Sequence, residues 1–334
     1  MSAIHLLLIL IAVALLFDFL NGFHDSANVV ATIIASRAMS ARGALLLASL
    51  AEFAGPFLLG VAVAETIGAE VVRVDALSVA VILAALVAAS LWDVVTWYFG
   101  IPVSSSHALI GGIVGAAATG SGLAAVHAPG LWKVAIALFV SPFLGFVMAL
   151  AIMQTTLWLL RDASPKANLA LSRVQIVTAL ALALAHGGND AQKTMGVIAM
   201  ALLVLGFTPA FHVPWWVVVL SASAIALGTA VGGWRIIRTL GARFYRIRPI
   251  HGFTSQLASA TVILGASLAG GPVSTTQVVS MAIVGAGAAE RKSKVRWAGL
   301  SDIAVAWVMT LPATALLAAP IYYLTESILR AGGR

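Results

Sequence analysis

Two aspartates and two runs of hydroxyls stand inside segments too apolar to hold them casually. Asp25 lies in NGFHDSAN (residues 21–28) with Asn21 and Asn28, and Asp190 lies in HGGNDAQK (186–193) beside Asn189. A carboxylate with amide carbonyl oxygens suits a hard cation such as Na⁺, or a titrating proton. Ser104, Ser105 and Ser106 follow Pro102 in IPVSSSH (101–107), and Ser274, Thr275 and Thr276 follow Pro272 in GPVSTTQ (271–277). Proline ends or kinks the helix before it, and Ser or Thr begins the next. Such a start offers free backbone N–H groups and the positive end of the helix dipole to an anion. Six hydroxyls from two helix starts could grip one tetrahedral oxyanion. The structural alternatives are that the hydroxyls cap helices or bond between them, and that each aspartate caps a helix fragment or pairs with Lys193. A divalent anion held near two aspartates is repelled unless cations enter with it, so coupling would follow from the electrostatics.

Both motifs occur twice, in the same order, at offsets of 165 and 170 residues. One half of the chain therefore duplicates the other, and recurrence in register favours the binding-site readings. The copies are not equivalent. His24 stands where the second copy has Asn189, and Asn28 where it has Lys193. A histidine can carry a proton near neutral pH, and Lys193 can offset one negative charge, so both are secondary candidates, with His107 and Gln277 from the hydroxyl motifs. Glu52 and Asp93 read as supports of the site, and Asp18, Asp302 and Glu326 as interfacial or interhelical hydrogen bonders. Gly22, Gly187 and Gly188 are expected to let the helices unwind and expose their own carbonyls.

The elements that must position these residues are transmembrane helices. Of 334 residues, 61% are hydrophobic and only 9% charged, with a mean hydropathy of +1.04, against roughly 25% charged in a soluble globule. About ten segments are long enough to cross a bilayer, which needs roughly 20 apolar residues: 4–35, 43–64, 77–99, 101–119, 131–160, 174–206, 214–234, 251–269, 272–289 and 297–326. No room remains for a soluble domain. The first segment lacks a basic flank and a cleavage site, so it reads as structural and not as a removable signal. The absence of cysteine excludes disulfides and thiolate metal sites.

The net charge of +7 reflects topology, not nucleic-acid binding, because fourteen of the nineteen Lys and Arg residues fall in four short loops. These loops carry Arg37 and Arg42; Arg161, Lys166 and Arg173; Arg235 to Arg248; and Arg291 to Arg296. The positive-inside rule places them in the cytoplasm, which puts both termini outside and the acidic loop of Glu65, Glu70 and Asp75 outside too. The expected organisation is a first repeat over 1–160, a cytoplasmic linker over 161–173 and a second repeat over 174–334. Five segments per repeat is an odd number, so the second copy is inverted. Inverted repeats with broken helices point to a secondary transporter with its site near the midplane. Whether 77–119 and 251–289 cross fully or form re-entrant hairpins stays open at this level, since irregular backbone is tolerated at depth where protein covers it.

GFHDSAN and GGNDAQK match the duplicated G-x-[NH]-D-x-x-[NK] element of the inorganic phosphate transporter (Pit) family, and PVSSSH and PVSTTQ match its P-V-S-[ST]-[ST]-[HQ] element. The chain resembles that family over essentially its whole length. The resemblance implies an all-α inverted-repeat membrane protein, usually a homodimer, that imports inorganic phosphate across the cytoplasmic membrane by cation symport with alternating access. It implies phosphate at Ser104, Ser105, Ser106, Ser274, Thr275 and Thr276, and cations around Asp25, Asn28, Asn189 and Asp190, with Asn21 beside them. The coupling ion is Na⁺, held at Asp25 and Asp190, or H⁺, and no resident cofactor is expected. His24 stands where many sodium-coupled relatives have Asn, and NGFHD is similar to proton-driven bacterial permeases. Gln277 replaces the usual second His. A permease for sulfate or another oxyanion is the alternative, and an anion channel a further one. An enzyme is not expected: HExxH is absent, and hydroxyl runs in duplicate do not suit one serine paired with a general base.

Overall fold

The computed structural model describes residues 2–73, 76–164 and 166–332, except the side chains of 68–70 and 332. Asp75, and the Glu70 side chain, from the expected outer loop lie outside what is described. The chain forms twelve α-helices among these residues: α1 (Ala3–Ala35), α2 (Ala41–Leu59), α3 (Ala62–Glu70), α4 (Val79–Phe99), α5 (Ser105–Ser121), α6 (Ala128–Leu159), α7 (Ala167–Val204), α8 (Trp215–Val231), α9 (Trp234–Ala242), α10 (Pro249–Leu268), α11 (Thr275–Glu290) and α12 (Trp297–Gly332). Helix is the expected outcome in lipid, because it satisfies every backbone group within its own segment. The one β-type pairing described is an isolated bridge between Val72 and Val126.

The ten expected segments each coincide with a helix, but fewer qualify as spans. Among the described residues, six helices (α1, α2, α4, α6, α7 and α12) are long and apolar enough to cross a membrane, and a seventh span results if α8 and α9, bent by 70° at their junction, are taken together. Helices α5 and α11 have 17 and 16 residues. At about 1.5 Å per residue they fall short of a hydrocarbon core of about 30 Å.

The interruptions fall where the prolines stand. Helix α4 ends on Gly100 at φ +67°, whose N–H bonds to Trp97 O at 2.9 Å, and Gly270 at φ +69° closes the turn after α10. That left-handed conformation favours glycine. Ser104 and Ser274 then cap α5 and α11, their Oγ atoms accepting from the N–H of His107 at 3.2 Å and of Gln277 at 3.3 Å. A second anchor is Trp307 on α12, whose indole donates to Pro102 O at 3.0 Å.

The expectation that Gly22, Gly187 and Gly188 unwind their helices is corrected here, because α1 and α7 run unbroken through both motifs. The glycines serve close approach instead. A Cβ on Gly22 would lie 2.1 Å from Ile225 O of α8, one on Gly187 2.4 Å from Glu52 O of α2, and one on Gly188 2.4 Å from a Leu59 methyl. Small residues let helix backbones come together where lipid supplies no hydrophobic drive for association. Gly187→Val is therefore expected to destabilise the protein by about 1–3 kcal/mol or more through overpacking. Gly265→Ala, where nothing lies within 4 Å of the added atom, should not lower the melting temperature in detergent.

The packing holds both hairpins against the two long motif helices. Helix α1 packs on α8, α7, α4 and α9, and α7 on α2, α10, α3 and α1. The hairpin α4–α5 is covered by α12, and the hairpin α10–α11 by α6. Each hairpin is thus enclosed by a helix from the other half of the chain, which leaves the starts of α5 and α11 facing inward.

At the end of α11, Glu290 gathers Arg248 at 2.6 Å, His251 at 2.7 Å and Lys294 at 2.7 Å. Partial burial pushes its carboxyl up, but the bonds from Lys294 and His251 and the charge of Arg248 outweigh this and hold it down at about 2. A depressed carboxylate contributes stability that is present above its unfolded pKa and lost as pH falls through the folded one. The window here runs from about 4.5 down to about 2. Glu290→Gln should lower the melting temperature at neutral pH, and its difference from wild type should shrink across that window.

Candidate functional site

Helical spacing puts Asn21, Asp25 and Asn28 on one face of α1, and His186, Asp190 and Lys193 on one face of α7. These two helices pack together, and the starts of α5 and α11 close on them. Every candidate residue is 4% exposed or less, so their polar atoms must satisfy one another.

Several do so across the two hairpins, while Asn21, the Oδ1 atoms of Asn28 and Asn189 and both His107 ring nitrogens have no protein hydrogen bond. The Thr276 hydroxyl lies 3.1 Å from both carboxylate oxygens of Asp25, and Asn28 Nδ2 donates to Thr276 Oγ1 at 3.0 Å. Thr275 Oγ1 reaches Asp190 Oδ2 at 3.1 Å and Asp25 Oδ2 at 3.4 Å, so it links the two carboxylates. On the other side, Lys193 Nζ donates to Asp190 Oδ1 at 2.5 Å, to Ser106 Oγ at 2.5 Å and to Val273 O at 3.3 Å. Ser106 Oγ itself donates to Val273 O at 3.1 Å, and Ser105 Oγ to Asp93 Oδ1 at 3.2 Å. The starts of α5 and α11 therefore meet at one centre lined by two carboxylates, three hydroxyls and one ammonium, with the Ser105 hydroxyl turned to Asp93. Ser104 and Ser274 sit one residue earlier, their oxygens engaged as caps.

His24 joins this centre through Nδ1, 2.8 Å from Asp25 Oδ1, with Nε2 3.4 Å from Thr96 Oγ1. Asn189 does not face the carboxylates. Its amide donates to Ser267 Oγ at 2.7 Å and to Gly271 O at 3.3 Å, and so holds the turn that leads into α11. The His107 ring packs edge-on against Phe139 at 6.0 Å, and Gln277 lines a cleft with Phe139 and Trp307. Neither touches an aspartate. Asn21 is fully buried, with neither amide atom in a protein hydrogen bond.

Sequence reading left His186 out of the cation site. Its Nε2 is 3.4 Å from Asp190 Oδ2 and 3.9 Å from Asp25 Oδ2, and its Nδ1 is 2.9 Å from Glu52 Oε1. Asp25, His186 and Asp190 each present a ligand atom, all within 4.8 Å of one another, an arrangement able to hold a cation. Thr229 of α8 lies within hydrogen-bonding reach of both Glu52 and Gly22 O. Thus Glu52 stands against the His186 ring, and Asp93 holds the Ser105 hydroxyl. The available signal was positional: His186 occupies the place in its motif that Asn21 holds in the other copy. Two further motif residues hold the short helices. Gln192 Oε1 accepts from Val63 N–H at 2.8 Å at the start of α3, and Ser26 Oγ from Gly233 N–H at 2.9 Å at the start of α9.

A family model described as the phosphate transporter family matches the chain over residues 21–171 and 160–318, stretches that contain all four motifs. The chain belongs to the phosphate transporter family. Among its relatives in that family, a protein of Rhizobium meliloti (strain 1021) named "Probable low-affinity inorganic phosphate transporter" is 45% identical over 328 residues, with 98% of each chain covered. One from Bacillus subtilis (strain 168) with the same name is 43% identical over 333 residues, covering 98% of this chain and all of the relative. The fold matches a solved structure described as "The sodium-dependent phosphate transporter" with a TM-score of 0.87 at 24% identity, over 97% of this chain and 100% of that one.

Proposed function

We propose that this member of the phosphate transporter family is a secondary transporter that imports inorganic phosphate across the cytoplasmic membrane by cation symport. One observation carries the reading. The starts of two helices from different hairpins converge on Asp25 and Asp190, so that hydroxyls and backbone N–H groups fit for an oxyanion adjoin carboxylates fit for its counter-cations. The names of the relatives from Rhizobium meliloti and Bacillus subtilis support phosphate as the anion.

In this reading Ser105, Ser106, Thr275 and Thr276 turn their hydroxyls from the carboxylates to the anion when it arrives, while Ser104 and Ser274 keep the helix starts intact. Asp25, Asn28, His186 and Asp190 hold the cation, Na⁺ or H⁺, and Asn189 fixes the loop beside them. His24 on Asp25 favours a proton route, whereas the solved neighbour is described as sodium-dependent. The matched order of α1–α6 and α7–α12 supports two inverted repeats, joined between Leu159 and Ala167 because α7 begins inside the expected 161–173 linker, that rock about this fixed centre in alternating access. Both termini lie outside and the protein works as a homodimer.

Hydrogen phosphate carries an O–H that Asp25 or Asp190 can accept from, and sulfate lacks it. A site that uses that hydrogen bond rejects the analogue without it. Purified protein in proteoliposomes should take up labelled phosphate saturably, and a tenfold excess of sulfate should leave uptake nearly unchanged at neutral pH. Equal competition by sulfate would show a general oxyanion site.

A further inference from the structure

The two carboxylates at the centre are compensated in different ways, and the difference lies at the position where the motifs disagree. Beside Asp190 sits Lys193, 1% exposed and among the largest fully buried side chains. Its Nζ meets one carboxylate oxygen at 2.5 Å, one hydroxyl at 2.5 Å and one backbone carbonyl at 3.3 Å. An ammonium has three donors, and here all three are spent. That leaves Lys193 none to offer the anion. Its partners are also the oxygen types that hold a hard cation.

Beside Asp25 the matching position is Asn28, which brings no charge. Its Nδ2 bonds to Thr276, and its Oδ1 is buried without a protein partner. The groups nearest Asp25 are hydroxyls, His24 Nδ1 at 2.8 Å and His186 Nε2 at 3.9 Å. One half therefore has a carboxylate, an unclaimed amide oxygen and hydroxyls, while in the other half an ammonium stands among equivalent groups.

We infer that Lys193 is a built-in monovalent cation: it fills one of two equivalent cation positions, so this transporter couples one mobile cation fewer per phosphate than a chain with asparagine there. The inference rests on the symport reading and sets its stoichiometry. A mobile cation binds on the Asp25 side, shared with the Asp190 oxygen that Lys193 leaves free, where the neighbouring nitrogens belong to the His24 and His186 rings and no ammonium stands. On the Asp190 side the tethered charge neutralises the carboxylate permanently and leaves the membrane-crossing cycle without a second ion to load or release. Burial of an ammonium is costly unless it is paired and hydrogen-bonded, and the three bonds meet that condition.

The test is Lys193→Asn in full-length protein reconstituted into proteoliposomes, with uptake measured while Na⁺ and H⁺ are titrated separately. Wild type should depend on its coupling cation with a Hill coefficient of about 1 and the variant with one of about 2, since the coefficient is limited by the number of sites. At low cation concentration the variant should lose about tenfold in uptake, equivalent to a tenfold weaker binding step, and recover when the cation is raised. Each phosphate should then carry one more positive charge in electrophysiological recording. Lys193→Met, which fills the space without charge or oxygen, should not recover at any concentration.

A Hill coefficient unchanged from wild type in Lys193→Asn, or no recovery from a variant that melts like wild type, would overturn the assignment. Should that variant not fold, the cation-to-phosphate ratio of wild type decides: one cation supports the assignment and two refute it alone. Wild-type vesicles that accumulate no phosphate under either gradient would remove the symport reading and the assignment together.

Discussion

Asp25→Asn is expected to lower phosphate uptake in proteoliposomes by about 100-fold or more. The carboxylate receives the Thr276 and Thr275 hydroxyls and has His24 Nδ1 at 2.8 Å. Hydrogen bonds to a charged group are worth about 1.5–3 kcal/mol each, and about 2.7 kcal/mol corresponds to 100-fold. Asparagine keeps the volume but brings an N–H₂ to face those donors, and it removes the charge that draws the cation in. Asp190→Asn should do at least as much, because it leaves the Lys193 ammonium buried without its carboxylate, a loss of about 3–5 kcal/mol. The two variants need separate controls. Asp25→Asn should still fold, which melting in detergent can check, whereas part of the Asp190→Asn loss will appear as reduced stability. Uptake near wild type in both variants would remove the carboxylates from the mechanism.

The hydroxyls carry the second large expected effect. Thr276→Val is nearly isosteric but strips the one group that joins Asn28 to Asp25, and leaves a buried amide and a carboxylate each short of a partner. Such a loss costs about 1–3 kcal/mol, or about fivefold to 150-fold in affinity. It should appear chiefly as a raised KM for phosphate. Ser106→Ala removes the hydroxyl shared by Lys193 and Val273 O, with an effect of the same order. Thr261→Ala supplies the contrast: this exposed hydroxyl of α10 bonds only to Leu257 O of its own helix, so uptake should stay within about twofold. Equal effects at Thr276 and Thr261 would refute an anion site at the α11 start.

Local chemistry made much of this readable in the sequence. Proline followed by Ser or Thr fixes a helix stop and a new capped start on steric grounds alone, and Gly100–Ser104 and Gly270–Ser274 take that form. The buried aspartates stood out because the surrounding sequence is so apolar. What the sequence concealed depends on packing between distant segments. Gly22 and Gly187 looked like points of unwinding because glycine lowers helix propensity, yet each is needed for close contact with α8 and α2, and propensity yields to such contact. His186 was obscured by the same problem: only the approach of α2 and α1 sets it between Glu52 and the two aspartates. Asn189, paired by position with His24, turns instead to Ser267 and Gly271, since its environment is the α10–α11 turn. The short helices α3 and α9 escaped notice because nine residues do not make a hydropathy peak.

The central claim is that anion and cation meet at one centre and move together. Phosphate uptake into proteoliposomes, with imposed Na⁺ and H⁺ gradients varied independently, tests it most directly. The account predicts accumulation of phosphate above its outside concentration under at least one inward cation gradient, and none when both gradients are absent. Phosphate that only equilibrates, at a rate indifferent to both gradients, would contradict it.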